Sequence, residues 1–430
     1  MARRKGVTDK APLLSESEEI DGYNAYVDLE CQIKCQFTTT PLPTKTHMRM
    51  DEGSEAEIIY DVVGVFVIAF DTHAGNIVEW WAPEDLPVSG IEFKAMASGA
   101  HRVHTDFSYF KRGSLYGLSC FENMKVDSAE ERGARMKSVG VLARSYSLFH
   151  LYMPFLQEQV RYLLEHPGSY SELLQFYLKW RGPPTLERKL EIERPYKTIC
   201  DGMLSMEITH PAGCFSQFMN YFGEKIFLLW KFALLRKRVL FFSPPPIGVV
   251  CYRVYCTSTL VAHLYPDMET CLCPPNFYVN VTDIDVLTGQ ATYVACTTEK
   301  IFESKPVLFD VFVDQQNLEA SSPANQKLLE LSIADKLKYS HLLELRSKCK
   351  PLMVDDDMDE SWFTGFFMAQ NTQLFKELFD VSKSAEKLWT EAHMKRVGLD
   401  PSGDKLFLSE LVERYGIDIV LITDSACCPA

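Results

Sequence analysis

The sequence has little of what covalent chemistry requires. It contains no GxSxG elbow, no Walker-type phosphate loop and no dinucleotide fingerprint after a strand. Its 13 cysteines are an odd number without repeating spacing. The close pairs are Cys31 and Cys35, Cys271 and Cys273, and Cys427 and Cys428, and no CxxC pins a zinc. Positive charge is also scarce: 44 Lys and Arg face 58 Asp and Glu, a net charge of −14, which argues against nucleic acid as the main partner. No apolar run is long enough for a membrane span, because the best candidate carries Lys231 at its centre. The N-terminal MARRKGVTDK lacks the apolar region of a secretory signal. These absences predict a cytoplasmic protein with reduced thiols and no metal or cofactor.

What is present is core. Hydrophobic residues make up 47% of the 430 positions, enough for two or three domains. Residues 1–57 are polar, with Pro12, Pro41 and Pro43 and the acidic Glu16, Glu18, Glu19 and Asp21, which predicts a disordered tail. Asp9 with Leu13-Leu14 matches an acidic-dileucine sorting signal, and a tail with two exposed leucines accounts for the same residues.

Order is expected from Ile58. Val62 to Phe70 reads as a central strand, and Ile77 to Trp81 returns after a turn as the second strand of a hairpin. Ile91 to Ala97 suits a short helix, and Leu115–Phe121 and Ser138–Ala143 two more strands. Pro154 is expected to open an amphipathic helix, and Ser169 with Glu172 a capping box for the helix ending at Trp180. Strands followed by helices make residues 58–180 an α+β domain. Gly182-Pro183-Pro184 marks a linker over 181–195.

The second domain, 196–314, centres on FLLWKFALLRKRVLFFSPPP, Phe227 to Pro246. Phe218, Phe222, Ile226, Leu229 and Ala233 recur at helical spacing, and the basic Arg236, Lys237 and Arg238 suit the C-terminus of that helix. Val239–Phe242 is a short buried strand stopped by prolines. A buried helix over Val249–Leu264 and strands over Phe277–Val281, Thr292–Cys296 and Val307–Val313 complete an α/β unit with a largely parallel sheet covered on both sides. Residues 315–416 read as helical, over Leu328–Leu345, Leu374–Trp389 and Lys405–Tyr415. Asp355, Asp356, Asp357, Asp359 and Glu360 are expected as a solvated acidic loop. Residues 417–430 form a second tail.

Candidate chemistry is thin. His101 and His104 are spaced like part of a metal site without a third ligand, and surface histidines are the reading adopted. Cys271 and Cys273 read as reduced structural thiols, and Asn280-Val281-Thr282 as a sequon unused in the cytosol. Cys427 and Cys428 are candidate lipidation sites, by prenylation or palmitoylation, although Pro429 departs from the usual prenylation box.

Three blocks carry a family resemblance: VVGVFVIAFDTHAGNIVEWW (Val62–Trp81), FLLWKFALLRKRVLFFSPPP, and YVACTTEKIFESKPVLFDVFVD (Tyr293–Asp314). Together they resemble DENN-domain proteins, closest to the LCHN-like group. Ala295 and Cys296 stand where many relatives carry glycine. The resemblance implies a longin-like N-terminal domain (the upstream DENN module), a central α/β DENN core and a helical C-terminal (downstream) subdomain. It also implies a guanine-nucleotide exchange factor for a Rab-type small GTPase in membrane trafficking, peripheral on endomembranes and acting without covalent chemistry of its own. Such a factor favours the nucleotide-free GTPase and by linkage weakens GDP binding equally. Folliculin-type relatives suggest the opposite activity, GTPase activation by an arginine, for which Arg132 and Arg135 occupy a comparable place. A non-catalytic trafficking scaffold is the third alternative.

Overall fold

A computed structural model describes residues 62–128, 130–182, 215–265, 273, 275–349 and 357–422. The tail over 1–57, nearly all of the 181–195 linker and the C-terminal cysteines lie outside these residues, as do Asp9, Leu13, Leu14, Cys271 and the expected start at Ile58.

The first half is an antiparallel sheet. Strands β1 (Val62–Asp71), β2 (Gly75–Ala82), β3 (Thr105–Arg112), β4 (Leu115–Lys125) and β5 (Ala134–Ala143) lie in the order β3-β4-β5-β1-β2. β3 is an addition to the sequence reading, because Asp106, Ser108 and Lys111 hide its pattern. The short helix α1 (Glu92–Ala95) lies on the sheet face to which Ser108, Ser119 and Ser138 point. Tyr109, on the opposite face, meets Met153 of helix α2 (Phe149–Glu165). Helix α3 (Ser171–Trp180) packs beside α2, where Phe155 stacks on Phe176 at 4.4 Å. Gly140 lets the aromatic layer approach, since a Cβ there would lie 2.3 Å from the Phe66 ring and 2.7 Å from the Leu118 carbonyl.

Two expectations fail here. Pro154 lies inside α2 rather than opening it, because the buried face continues upstream through Phe149, Tyr152 and Met153. The Ser169–Glu172 capping box is absent. Tyr170 fixes the start of α3 instead, stacking on Trp80 at 4.9 Å and donating to Glu79 at 2.5 Å, while Glu172 accepts from Gln159.

In the second half, strands β6 (Arg238–Phe242), β7 (Pro275–Tyr278), β8 (Tyr293–Thr297) and β9 (Val311–Asp314) are parallel in the order β9-β6-β8-β7, with β10 (Asn317–Ala320) antiparallel at the edge. β7 pairs in parallel with β3 through Tyr278 and Phe110, joining both halves into one ten-stranded sheet among the described residues. The expected single helical stripe is broken at Gly223 (φ +57) into α4 (Phe215–Phe222) and α5 (Ile226–Leu234). α5 is buried on every side, including Lys231, so it is a core helix rather than an amphipathic one. Its C-terminus is a Schellman turn, with Arg236 N–H on Ala233 O and Lys237 N–H on Phe232 O. Arg236 takes the left-handed position usual for glycine (φ +52) and lays its guanidinium over the Tyr415 ring.

Helix α6 (Gly248–Thr259) is shorter than expected, and of the strand expected over Val307–Val313 only β9 forms, because Pro306–Leu308 is a 3-10 turn. The longest C-terminal helices among the described residues are α7 (Ile333–Cys349), α8 (Asp357–Lys383) and α9 (Lys405–Arg414). Asp357, Asp359 and Glu360, expected in a loop, fall within α8. Among the described residues no helix is long and apolar enough to cross a membrane.

Candidate functional site

Where β3 meets β7, two elements from opposite halves of the chain are fastened together. A helix of four residues has almost no stability of its own. α1 is held by its carbonyls: Ser108 Oγ donates to Lys94 O at 3.0 Å, and Ser119 Oγ and Ser138 Oγ donate to Ala95 O at 3.0 and 2.7 Å. Ile91 and Lys94 are thereby buried while Phe93 stays 45% exposed.

The second half supplies the turn after β7. Lys94 Nζ lies 2.5 Å from Asp283 Oδ2 and 3.3 Å from Tyr278 O. Burial pulls the Lys94 pKa below its usual value, opposed by the Asp283 carboxylate. Asp283 also accepts from Asn280 N–H at 2.8 Å, closing a capping box with the Asn280 side chain. The Asn280 amide donates back across the seam to Phe93 O at 2.9 Å, and Tyr278 OH accepts from Ser98 N–H at 3.1 Å. Val281 N–H donates to Glu299 Oε2 at 2.7 Å. Burial raises the Glu299 pKa against the lowering effect of that bond.

A second fastening lies at the start of β3. Asp106 is buried and accepts from Ile247 N–H at 2.6 Å and Gly248 N–H at 3.0 Å, at the N-terminus of α6. Burial pushes its pKa up to about 6 despite these bonds. Gly248 permits the approach, since a Cβ there would lie 2.8 Å from Phe107 O.

Three exposed apolar side chains stand on the elements that this chain of contacts joins. Phe93, Val281 and Ile301 are 45%, 45% and 53% exposed, on α1, on the β7 turn and just past β8 respectively. Exposed apolar side chains on a hydrogen-bonded frame suit recognition of a protein surface. A separate groove of about 850 Å³ runs between α2 and α3, lined by Leu151, Phe155, Phe176, Lys179 and Trp180 among others.

The residues singled out from sequence lie elsewhere. Arg132 is exposed at the tip of the turn before β5, in a left-handed conformation (φ +53). Arg135 forks onto Glu131 at 2.6 and 3.0 Å and donates to Leu164 O at the C-terminus of α2. The two arginines are thus in different situations, Arg132 presented on the turn and Arg135 tied down at the start of β5. His101 and His104 are exposed, and His104 Nδ1 lies 2.8 Å from Asn123 O. Cys273 is buried, which raises its thiol pKa. Asn280, noticed only as a sequon, is 2% exposed with its amide engaged across the seam. Sequence reasoning missed Phe93, Lys94, Asp106 and Asp283. The one available signal was Lys94 in the Ile91–Ala97 stretch, where Glu92 is the only other polar residue.

Fold and seam therefore define a mixed α/β protein whose distinctive surface is a junction between two halves of one sheet. The family model described as DENN domain-containing protein 11 matches residues 65–325, which include α1 and the β7 turn. DENN domain-containing protein 11 of Xenopus laevis is 50% identical over all of both chains. Its namesake in Danio rerio is 48% identical across 86% of this chain and 78% of the relative. That of Rattus norvegicus is 47% identical across 86% and 83%. The chain belongs to the DENN-domain family.

Proposed function

We propose that this protein is a guanine-nucleotide exchange factor for a Rab-type small GTPase, working in membrane trafficking at endomembrane surfaces. Residues 58–180 would act as the longin-like module, 196–314 as the DENN core and 315–416 as the helical downstream subdomain. The observation that carries the reading is the exposed apolar residues Phe93, Val281 and Ile301, which stand on elements of the first two modules joined by polar contacts, in a member of this family.

Exchange requires no nucleophile. A surface that binds the nucleotide-free GTPase better than the GDP-bound form must weaken GDP by the same factor. Apolar anchors that engage the switch segments keep them from the Mg²⁺ and phosphates that order them, so GDP leaves and GTP replaces it. The test is release of labelled GDP from a panel of purified Rab proteins. Acceleration on one or two members supports exchange, and no acceleration on any member overturns it.

A second reading, GTPase activation, is favoured by one observation: Arg132 is exposed at a turn tip, where a cation could reach a transferred phosphate. Loss of stimulated GTP hydrolysis in Arg132→Ala would support it. Binding of a Rab without any rate effect would leave a scaffold.

A further inference from the structure

We infer that Lys94 and Asp283 are positioning residues that set the seam in its binding form before any GTPase arrives. The inference rests on the exchange reading for its consequence, though not for its geometry. Burying a lysine against a carboxylate is an expensive way to hold two elements together, since an apolar pair of similar volume often serves as well or better. What the ion pair adds is direction. The Lys94 ammonium satisfies Asp283 Oδ2 and Tyr278 O together, and Asp283 also holds Asn280 N–H, so the β7 turn has one register against α1. Asn280 closes the arrangement on the carbonyl of Phe93 itself.

Two of the apolar anchors therefore sit beside a fixed polar contact. Phe93 precedes Lys94, and its own carbonyl is bonded across the seam. Val281 follows Asn280, and its amide is bonded to Glu299. A seam fastened in this way has less ordering entropy to lose when a partner binds, which preserves affinity. Asp106 on Ile247 and Gly248 fixes the start of β3 independently, so loss of the Lys94–Asp283 pair should loosen α1 and the β7 turn without parting the sheet.

The experiment compares wild type, Lys94→Met, Asp283→Asn and the two changes combined, in the full chain. Hydrogen exchange of the free proteins is read at residues 92–96 and 279–284, with β4 and β5 as the internal reference. GDP release is read on the Rab that wild type accelerates. Each single variant should exchange at least tenfold faster at both seam segments, with the reference strands unchanged. KM for the GTPase should rise about tenfold while kcat holds. The combined variant leaves no unpaired buried charge, so it should regain melting temperature but keep the fast seam and the raised KM. Unchanged seam exchange in the single variants would overturn the inference. So would a combined variant that restores both protection and KM, because the pair would then do no more than neutralise itself. If wild type accelerates no Rab, the exchange reading fails alone, and hydrogen exchange still decides the positioning role.

Discussion

Lys231 on α5 and Asp404, 173 positions apart in sequence, meet at 2.5 Å in the protein interior, where their side chains are 2% and 0% exposed. Asp335 Oδ2 lies at the same distance from the Lys231 ammonium, and Lys338 approaches the other oxygen of Asp335 at 3.2 Å while resting over the Trp230 ring. Ser332 Oγ donates to Asp404 at 2.9 Å. Two cations and two anions thus balance inside the core and tie the central buried helix to the helical C-terminal region. Burial pushes Asp335 up, but Lys338 and Lys231 outweigh it and hold the carboxyl below its usual range.

Removing one member should expose the cost. Lys231→Met leaves Asp335 and Asp404 with one cation between them, and the expected loss is about 3–5 kcal/mol in urea unfolding. Adding Asp404→Asn should recover a substantial part. A loss below about 1 kcal/mol for the single change would mean that the cluster relaxes or admits water.

Asp106 gives a dependence on pH with a definite sign. Its folded pKa, about 6, lies above the ordinary carboxylate value, so the folded state binds more protons between roughly pH 4 and 6. The stabilisation from its protonated form is complete below pH 4 and lost as pH rises through 6. Unfolding free energy should therefore fall over that window, by up to about 1.4 kcal/mol per pH unit. Asp106→Asn should flatten the slope. An unchanged slope in that variant would assign the titration to another group.

Gly140→Ala should destabilise by about 1–3 kcal/mol, because the new methyl meets the Phe66 ring on one side and a rigid backbone carbonyl on the other. Thermal unfolding reads this directly. Gly140→Ala combined with Phe66→Leu should recover part of the loss, since the carbonyl contact would remain.

Arg135→Ala should cost a few tenths to about 1 kcal/mol, from its half-exposed fork on Glu131 and its bond at the α2 C-terminus. Arg132→Ala should leave melting unchanged. Under the exchange reading neither variant alters GTP hydrolysis by the partner, and a fall confined to Arg132→Ala would favour activation.

Much of the fold was legible because apolar pattern reports local structure. The β1–β2 hairpin, β4, β5 and β6 follow from runs such as Val62–Phe70 and Val239–Phe242, and helical spacing gave α5 as a helix but not its burial on every side. β3 was hidden because Asp106 and Ser108 are polar yet buried, each bonded to a distant backbone group. The start of α3 was misread because Tyr170, anchored by Trp80 and Glu79, outweighed a local capping signal. Lys231 looked like an interruption of the apolar run, since its partners lie 104 and 173 residues away. The seam was illegible for the same reason: Lys94 and Asp283 are 189 residues apart, and neither carries a local pattern that announces the other.

The most direct measurement is GDP release from the Rab panel with wild type and with Phe93→Ala/Ile301→Asp side by side. These side chains are exposed, so melting should move little. The expected result is acceleration by wild type on one or two Rab proteins and at least a tenfold loss of kcat/KM in the variant. Full activity in the variant would show that exchange proceeds through another surface, and an inert wild type would contradict the exchange function itself.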